Sequence, residues 1–296
     1  MAPTRIAIVT DIHHGEDTLS KRGTAALPFL GRFVEDANAA GVDAVVDLGD
    51  RISDEDPERD RALQGEVAAL FGRLAMPRHH VDGNHDRAHL TGPENERSLG
   101  QRGGTRSVDL GPVRLAFWQP DVVLTHDRPL RLAPGDLDAL SGLLAADDRP
   151  TLLFSHVPLS GQSNLGNAWF ENNPDHATYR SDIAAIRATI AAAPCRIAAF
   201  SGHVHWNSVT TVDGTPHLTL QSLTETFTTA GEPSGCRAML TIESDRLAWS
   251  VTGLDPLSVG LPWSPTKPVW HGALPRFGRD MPAGGNQASD IRTAAG

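Results

Sequence analysis

Cysteine is scarce in this chain. Only Cys195 and Cys236 occur in 296 residues, too few for the disulfide framework that staples small secreted folds. No charged-then-apolar leader precedes the first apolar segment, so a reduced, cytoplasmic setting is expected. Long hydrophobic runs are also missing: nothing approaches the roughly eighteen apolar residues of a membrane span, and no membrane partner is expected. Positive charge is in deficit, with 26 Lys and Arg against 36 Asp and Glu and a net charge of −10. The basic residues are dispersed and mostly Arg, so the basic patch that marks a nucleic-acid surface is not evident. A small anionic substrate stays compatible with this balance, because bound cations can dominate a local potential.

What the chain does have is apolar content of 40%, enough for a sizeable core. One domain over residues 1–253 is expected. Residues 254–296 are rich in Pro and Gly and carry Trp263 and Trp270, which reads as an irregular strap followed by a disordered end. Homo-oligomerisation stays open.

Five short apolar stretches each stop on side chains that bind metals. Arg5 to Thr10 leads into Asp11 and His13, and Ala44 to Leu48 into Gly49 and Asp50. His80 and Val81 lead into Gly83, Asn84, His85 and Asp86; Thr151 to Phe154 into His156; and Arg196 to Phe200 into Gly202, His203 and His205. Such runs, bounded by Gly and polar residues, predict buried strands. If they are neighbouring parallel strands, their carboxyl ends share one sheet edge, where open α/β sheets place ligands. Helical periodicity falls between them, over Leu27 to Ala39, Pro57 to Leu74, Leu137 to Leu144 and Ser181 to Ala192. From Thr105 to Trp118 and from Asn207 to Thr252 the pattern is that of hairpins, with Asp213-Gly214 as a turn signal. The expectation is an α/β body of two packed sheets with helices outside.

Singly, most of these blocks say little; together, once each and in this order, they resemble the calcineurin-like metallophosphoesterases. The likeness covers roughly the first two-thirds of the chain and looks closest to the bacterial branch of class III cyclic-nucleotide phosphodiesterases and glycerophosphodiesterases. It implies a four-layer αββα sandwich of two mixed β-sheets flanked by helices, with a dinuclear metal site. Asp11, His13 and His205 would hold one divalent ion, Asn84, His156 and His203 the other, and Asp50 both. A donor set of carboxylate, imidazole and amide without thiolate suits Mn, Fe, Co or Zn.

Two divalent ions bring four positive charges and Asp11 and Asp50 cancel two, so the site would attract phosphate oxygens. The expected reaction is attack of a metal-bridging hydroxide on phosphorus in small organic phosphodiesters of cyclic-nucleotide or glycerophosphodiester type. The alternatives are a phosphomonoesterase, a protein phosphatase or a nuclease of the same superfamily, and, from another class, a non-catalytic scaffold of the same fold. An intact ligand set argues against the scaffold, and acidic charge against the nuclease.

His85 is the candidate proton donor to the leaving group, with Asp86 expected to orient it. His14 is a weaker candidate beside a ligand. Residues 160–174 form an Asn- and Gly-rich loop in which Asn164, Trp169 and Phe170 are candidate substrate contacts. His79, His80, His89, His126, His176, His217 and His271 lack ligand-spaced partners and read as ordinary core or surface histidines. Asp54, Glu55 and Asp56 read as a solvated acidic turn ahead of a helix, and both cysteines as buried apolar side chains.

Overall fold

The computed structural model describes residues 3–264 and 266–271. In chain order it contains strands β1 (Thr4–Val9), β2 (Asp17–Thr18) and β3 (Lys21–Arg22), helix α1 (Ala26–Ala40), β4 (Ala44–Asp47), α2 (Pro57–Phe71), β5 (Arg78–His80) and α3 (Gly92–Leu99). There follow β6 (Arg106–Leu110), β7 (Val113–Phe117), α4 (Asp136–Leu144), β8 (Thr151–Phe154), α5 (Pro174–Ala177), α6 (Ile183–Ala192) and β9 (Ile197–Ser201). The last strands are β10 (Ser208–Val212), β11 (Thr215–Thr219), β12 (Arg237–Ile242), β13 (Arg246–Thr252) and β14 (Leu257–Pro262).

Two six-stranded mixed sheets result, one ordered β14-β13-β12-β1-β4-β5 and the other β10-β11-β9-β8-β7-β6. In the first, β1, β4 and β5 run parallel; in the second, β7, β8, β9 and β11 do. Side-chain alternation along each strand explains the layering. Ile6 and Ile8 of β1 face the space between the sheets with Leu152, Phe154 and Phe200, while Ala7 and Val9 face Leu30, Phe33 and Val34 of α1 and Val67 and Phe71 of α2. On the far side, Leu153 and Ala199 meet Leu140 and Leu144 of α4 and Ile186 and Ile190 of α6. Because both faces of the central strands are covered, their sequences are mostly apolar. Aromatic stacking runs through the middle layer, with ring centroids 5.3 Å apart for Phe117 and Phe154 and 5.3 Å for Phe154 and Phe200. The architecture is the expected four-layer αββα sandwich.

Local chemistry sets the element ends. Asp56 caps α2 by accepting from the backbone N–H of Glu58 and Arg59, with Pro57 in the first turn. Asp213 and Gly214, both at positive φ, close the β10–β11 hairpin. Two expectations change. The ligand-bearing tips do not share one sheet: those after β1, β4 and β5 belong to the first and those after β8 and β9 to the second. The stretch after Gly253 is not irregular throughout, because β14 pairs antiparallel with β13 as an edge strand and Trp263 beyond it is buried. Alternating exposure along Leu257–Pro262 fits an edge strand with one wet face, a weak signal that Pro and Gly masked in the sequence. The expected disordered end falls largely outside the described residues.

Candidate dinuclear metal centre

Backbone hydrogen bonds knit the tips within each sheet. Asp11 N–H donates to Gly49 O (2.9 Å) and His13 N–H to Asp50 O (3.0 Å) in the first; Gly202 N–H donates to His156 O (3.0 Å) in the second. Other bonds cross between the sheets. His203 N–H donates to the Asp11 carboxylate (2.9 Å), and the His156 ring meets Leu48 O through Nδ1 (2.9 Å). The two edges are thereby clamped into one cleft.

Two donor clusters occupy it. Asp11, His13, Asp50 and His205 place ligand atoms within 4.8 Å of one another, as do Asp50, His156 and His203, so Asp50 belongs to both. Asn84 Oδ1 lies 3.2 Å from His156 Nε2 and joins the second. All seven side chains are buried.

Every outer ring nitrogen but one is tied down. His205 Nδ1 meets Glu225 Oε2 at 2.8 Å, His156 Nδ1 meets Leu48 O, and His203 Nε2 meets His176 O at 2.7 Å; His13 Nδ1 has no partner among the described residues. Such outer bonds fix which nitrogen faces a metal.

The backbone is strained where the donors sit. Asp11, His13, Asp50, His203 and His205 all have φ between 47° and 68°, a conformation that costs non-glycine residues about 1–3 kcal/mol and clusters at functional sites. Two motif glycines have a steric reason. A Cβ on Gly83 would lie 2.1 Å from Asp50 Oδ1, and one on Gly202 2.4 Å from Asp11 Oδ2. Neither position has room for a side chain.

Electrostatics favour cations here. Burial opposes charge on His156, yet the Asp50 carboxylate 3.2 Å away holds its pKa up at about 9. Burial likewise opposes charge on His205, and Asp11 and Glu225 hold it at about 9. Burial disfavours ionised Asp50, but the imidazoles of His156, His85 and His13 keep its carboxyl well below the usual range. His203, buried next to His156, falls to about 3 and presents a neutral ring. Converging lone pairs, buried and free of thiolate, fit two borderline divalent ions.

The model of the calcineurin-like phosphoesterase family matches residues 4–207, a span that takes in every one of these donors. The chain belongs to this family. Among solved structures, this calcineurin-like phosphoesterase is similar to a dimetal phosphatase from Danio rerio (17% identity, TM-score 0.68, covering 86% of this chain and 98% of that one). It also resembles the purple acid phosphatase PPD1 from yellow lupin (Lupinus luteus) seeds at 14% identity and TM-score 0.63, covering 86% of this chain and 52% of the lupin chain. GAP50, the anchor in the inner membrane complex of Plasmodium, matches at 12% identity and TM-score 0.59, covering 90% of this chain and 91% of that one. These likenesses are of fold. No curated protein matches the chain in sequence. No helix among the described residues is long and apolar enough to cross a membrane.

Around the donors, several sequence-based roles are reassigned. His85 does stand at the centre, its ring edge-on to His13 with centroids 4.8 Å apart. Asp86 does not orient it. The Asp86 carboxylate is fully buried and accepts from the backbone N–H groups of Asp50 (2.8 Å), Arg51 (2.9 Å) and Gly83 (2.8 Å), which makes it the brace between two loops. The carboxylate on His85 Nδ1 is that of Asp54, from the turn expected to be merely solvated. His14 meets Glu66 of α2 at 2.7 Å and does not join the clusters.

Both loop aromatics reach the site. The Trp169 ring lies 6.5 Å from that of His205 and the Phe170 ring 5.0 Å from that of His203. Asn164 instead lines a cavity of about 450 Å³ with Gln162, Phe170 and Arg180, beside the clusters. Asn167 fastens the loop, donating to Val204 O (2.8 Å) and accepting from the N–H of Trp169 and Phe170.

Glu225, absent from the sequence-based candidates, orients His205 and accepts from Trp169 Nε1 at 2.9 Å. It follows an unremarkable Ser-Leu-Thr run, so only its placement between His205 and Trp169 reveals it. Below the site, buried Arg51 is shared by Asp47 (2.9 Å), Asp82 (2.6 Å) and Asp86 (3.2 Å).

Proposed function

We propose that this protein hydrolyses small organic phosphodiesters, of the cyclic-nucleotide or glycerophosphodiester type, at the paired donor clusters. The observation that carries the reading is the shared Asp50 flanked by two buried donor sets, with His85 held next to them by a carboxylate. When bound, two divalent ions at Asp11, His13, Asp50 and His205 and at Asp50, Asn84, His156 and His203 would supply Lewis acidity toward a phosphoryl group and its attacking water.

The chain's own groups do the rest. His85, oriented through Nδ1 by Asp54, has its other nitrogen available to give a proton to a departing alkoxide, which a diester of an ordinary alcohol requires. Trp169 and Phe170 lie against the imidazoles of His205 and His203, where they offer apolar cover for the two ester groups that a diester carries and restrict access of bulk water. The complete donor set speaks against a scaffold role, and a net charge of −10 against a nuclease.

The test is a panel of bis-p-nitrophenyl phosphate, p-nitrophenyl phosphate and cyclic AMP after reconstitution with Mn, Zn, Fe or Co. Higher kcat/KM on the diesters supports the reading; a preference for the monoester overturns it.

A further inference from the structure

The hairpin of β2 and β3 brings a cation to the clusters that no motif announces. Lys21 is 7% exposed, and its backbone is locked in place by a bridge to Glu225 and by the bond from Arg22 N–H to Thr224 O (3.0 Å). Four carboxylates act on its ammonium through space: Asp50, Asp54, Glu225 and Asp11. None of them makes an ion pair or hydrogen bond with it among the described residues. Each is engaged elsewhere: Asp11 and Asp50 in the donor clusters, Asp54 on His85, and Glu225 on His205 and Trp169. The one directed contact is with the indole of Trp169, whose centroid lies 5.7 Å from Nζ, within the range of a cation–π attraction.

The side chain is largely enclosed, but its ammonium keeps donors that no carboxylate among the described residues takes up. Divalent ions bound by Asp11 and Asp50 would leave that ammonium and the metals as neighbouring positive charges, a field that draws an anion to the space between them. The position fits: the indole on which the ammonium rests lies 6.5 Å, ring to ring, from the ligand His205, so Lys21 reaches the cleft from the His205 side.

We infer that Lys21 is a substrate-binding residue, whose ammonium, steered by Trp169, takes a phosphoryl oxygen of the substrate beside the metal clusters. This rests on the phosphoesterase reading for its substrate, but not for its test. Trp169 then has two tasks, holding Lys21 by its ring face and Glu225 by its Nε1–H. An ammonium delivers one point charge without the fixed fork of a guanidinium, so one non-bridging oxygen is the target.

The experiment is isothermal titration of inorganic phosphate into the Mn-loaded full-length protein, wild type against Lys21→Met and Lys21→Arg, with bound metal measured on each sample. The expected result is phosphate affinity about ten-fold weaker in Lys21→Met, partly restored in Lys21→Arg, with metal content and unfolding midpoint unchanged. Kinetics on bis-p-nitrophenyl phosphate should show the same loss mainly in KM. Unchanged phosphate affinity in a folded, metal-replete Lys21→Met overturns the assignment. So does loss of bound metal in that variant, which would make Lys21 a counter-ion to the carboxylates. If the wild type cleaves no phosphate ester yet binds phosphate through Lys21, the catalytic reading falls and the binding site stands.

Discussion

The Asp54 carboxylate bonds to Nδ1 of His85, across 31 residues of sequence, and fixes the ring edge-on to His13. The other ring nitrogen, Nε2, has no protein partner among the described residues. A carboxylate on Nδ1 selects the tautomer and holds the ring in one orientation, which is what proton transfer to a leaving group needs. His85→Ala should lower kcat by about 10²–10⁴-fold, the usual range for a positioned acid, with bound metal unchanged. Asp54→Asn should cost on the order of 10–100-fold, as loss of an orienting partner does. Both deficits should shrink when the leaving group is p-nitrophenolate, which departs without a proton. Equal deficits for alkyl and p-nitrophenyl esters would exclude the acid role.

Asp50 is common to both donor clusters, so Asp50→Asn should lose both ions together. His156→Ala, by contrast, should empty one cluster and leave the single ion at Asp11, His13, Asp50 and His205. Metal stoichiometry by mass spectrometry distinguishes these outcomes. Chelation of the wild type should abolish turnover, and re-addition of a suitable divalent ion should restore it.

Glu225 touches no predicted ligand position other than His205, whose Nδ1 it holds at 2.8 Å. Glu225→Gln should weaken metal affinity by about 10–100-fold, seen as a shift in the metal concentration needed for half-maximal activity. An unshifted curve would show that His205 keeps its orientation unaided.

Arg51 is buried against three carboxylates, with a backbone bond to Val81 O at 2.9 Å as well. Arg51→Met leaves Asp47, Asp82 and Asp86 without the buried cation they share, so urea unfolding should show a loss of about 3–5 kcal/mol. A loss below about 1 kcal/mol, the range of ordinary surface pairs, would mean that water replaces the guanidinium.

His217 of β11 is buried, and burial, with Arg187 nearby, lowers its pKa to about 4. The unfolded chain binds this proton near pH 6.5, so between about pH 6.5 and 4 the unfolded state holds more protons and stability falls as pH falls. At about 1.4 kcal/mol per pKa unit the loss attributable to His217 is on the order of 3 kcal/mol. His217→Gln should flatten the wild-type dependence of the urea midpoint over that window. Parallel curves for the two proteins would exclude the assignment.

Much of the site was legible because its donors sit within a few residues of strand ends, where short-range sequence pattern and chemistry coincide. Asp11, Asp50, His156 and His203 each follow an apolar run, and the run and its terminal donor are read from the same ten residues. The supporting groups offered no such local cue. Asp54 lies in an acidic turn before α2, Glu225 in a polar segment after β11, and Lys21 in a hairpin of two-residue strands. Asp86 misled because adjacency in sequence suggested adjacency of function. On the 3-10 turn His85–Arg87, neighbouring side chains point in different directions, and Asp86 turns inward to the backbone of Asp50, Arg51 and Gly83. The strand at Leu257–Pro262 was hidden because edge strands tolerate Pro and Gly.

Composition and strand-end chemistry by themselves determined the α/β class, the helices between strands and the set of donor side chains, since burial periodicity and ligand type are local properties of the chain. The tertiary structure alone decided that donors from two separate sheets face each other across one cleft, and which carboxylate serves which imidazole. It also decided that Lys21 rests on Trp169 beside His205. Those relations depend on how the sheet edges pack together, which no stretch of neighbouring residues encodes.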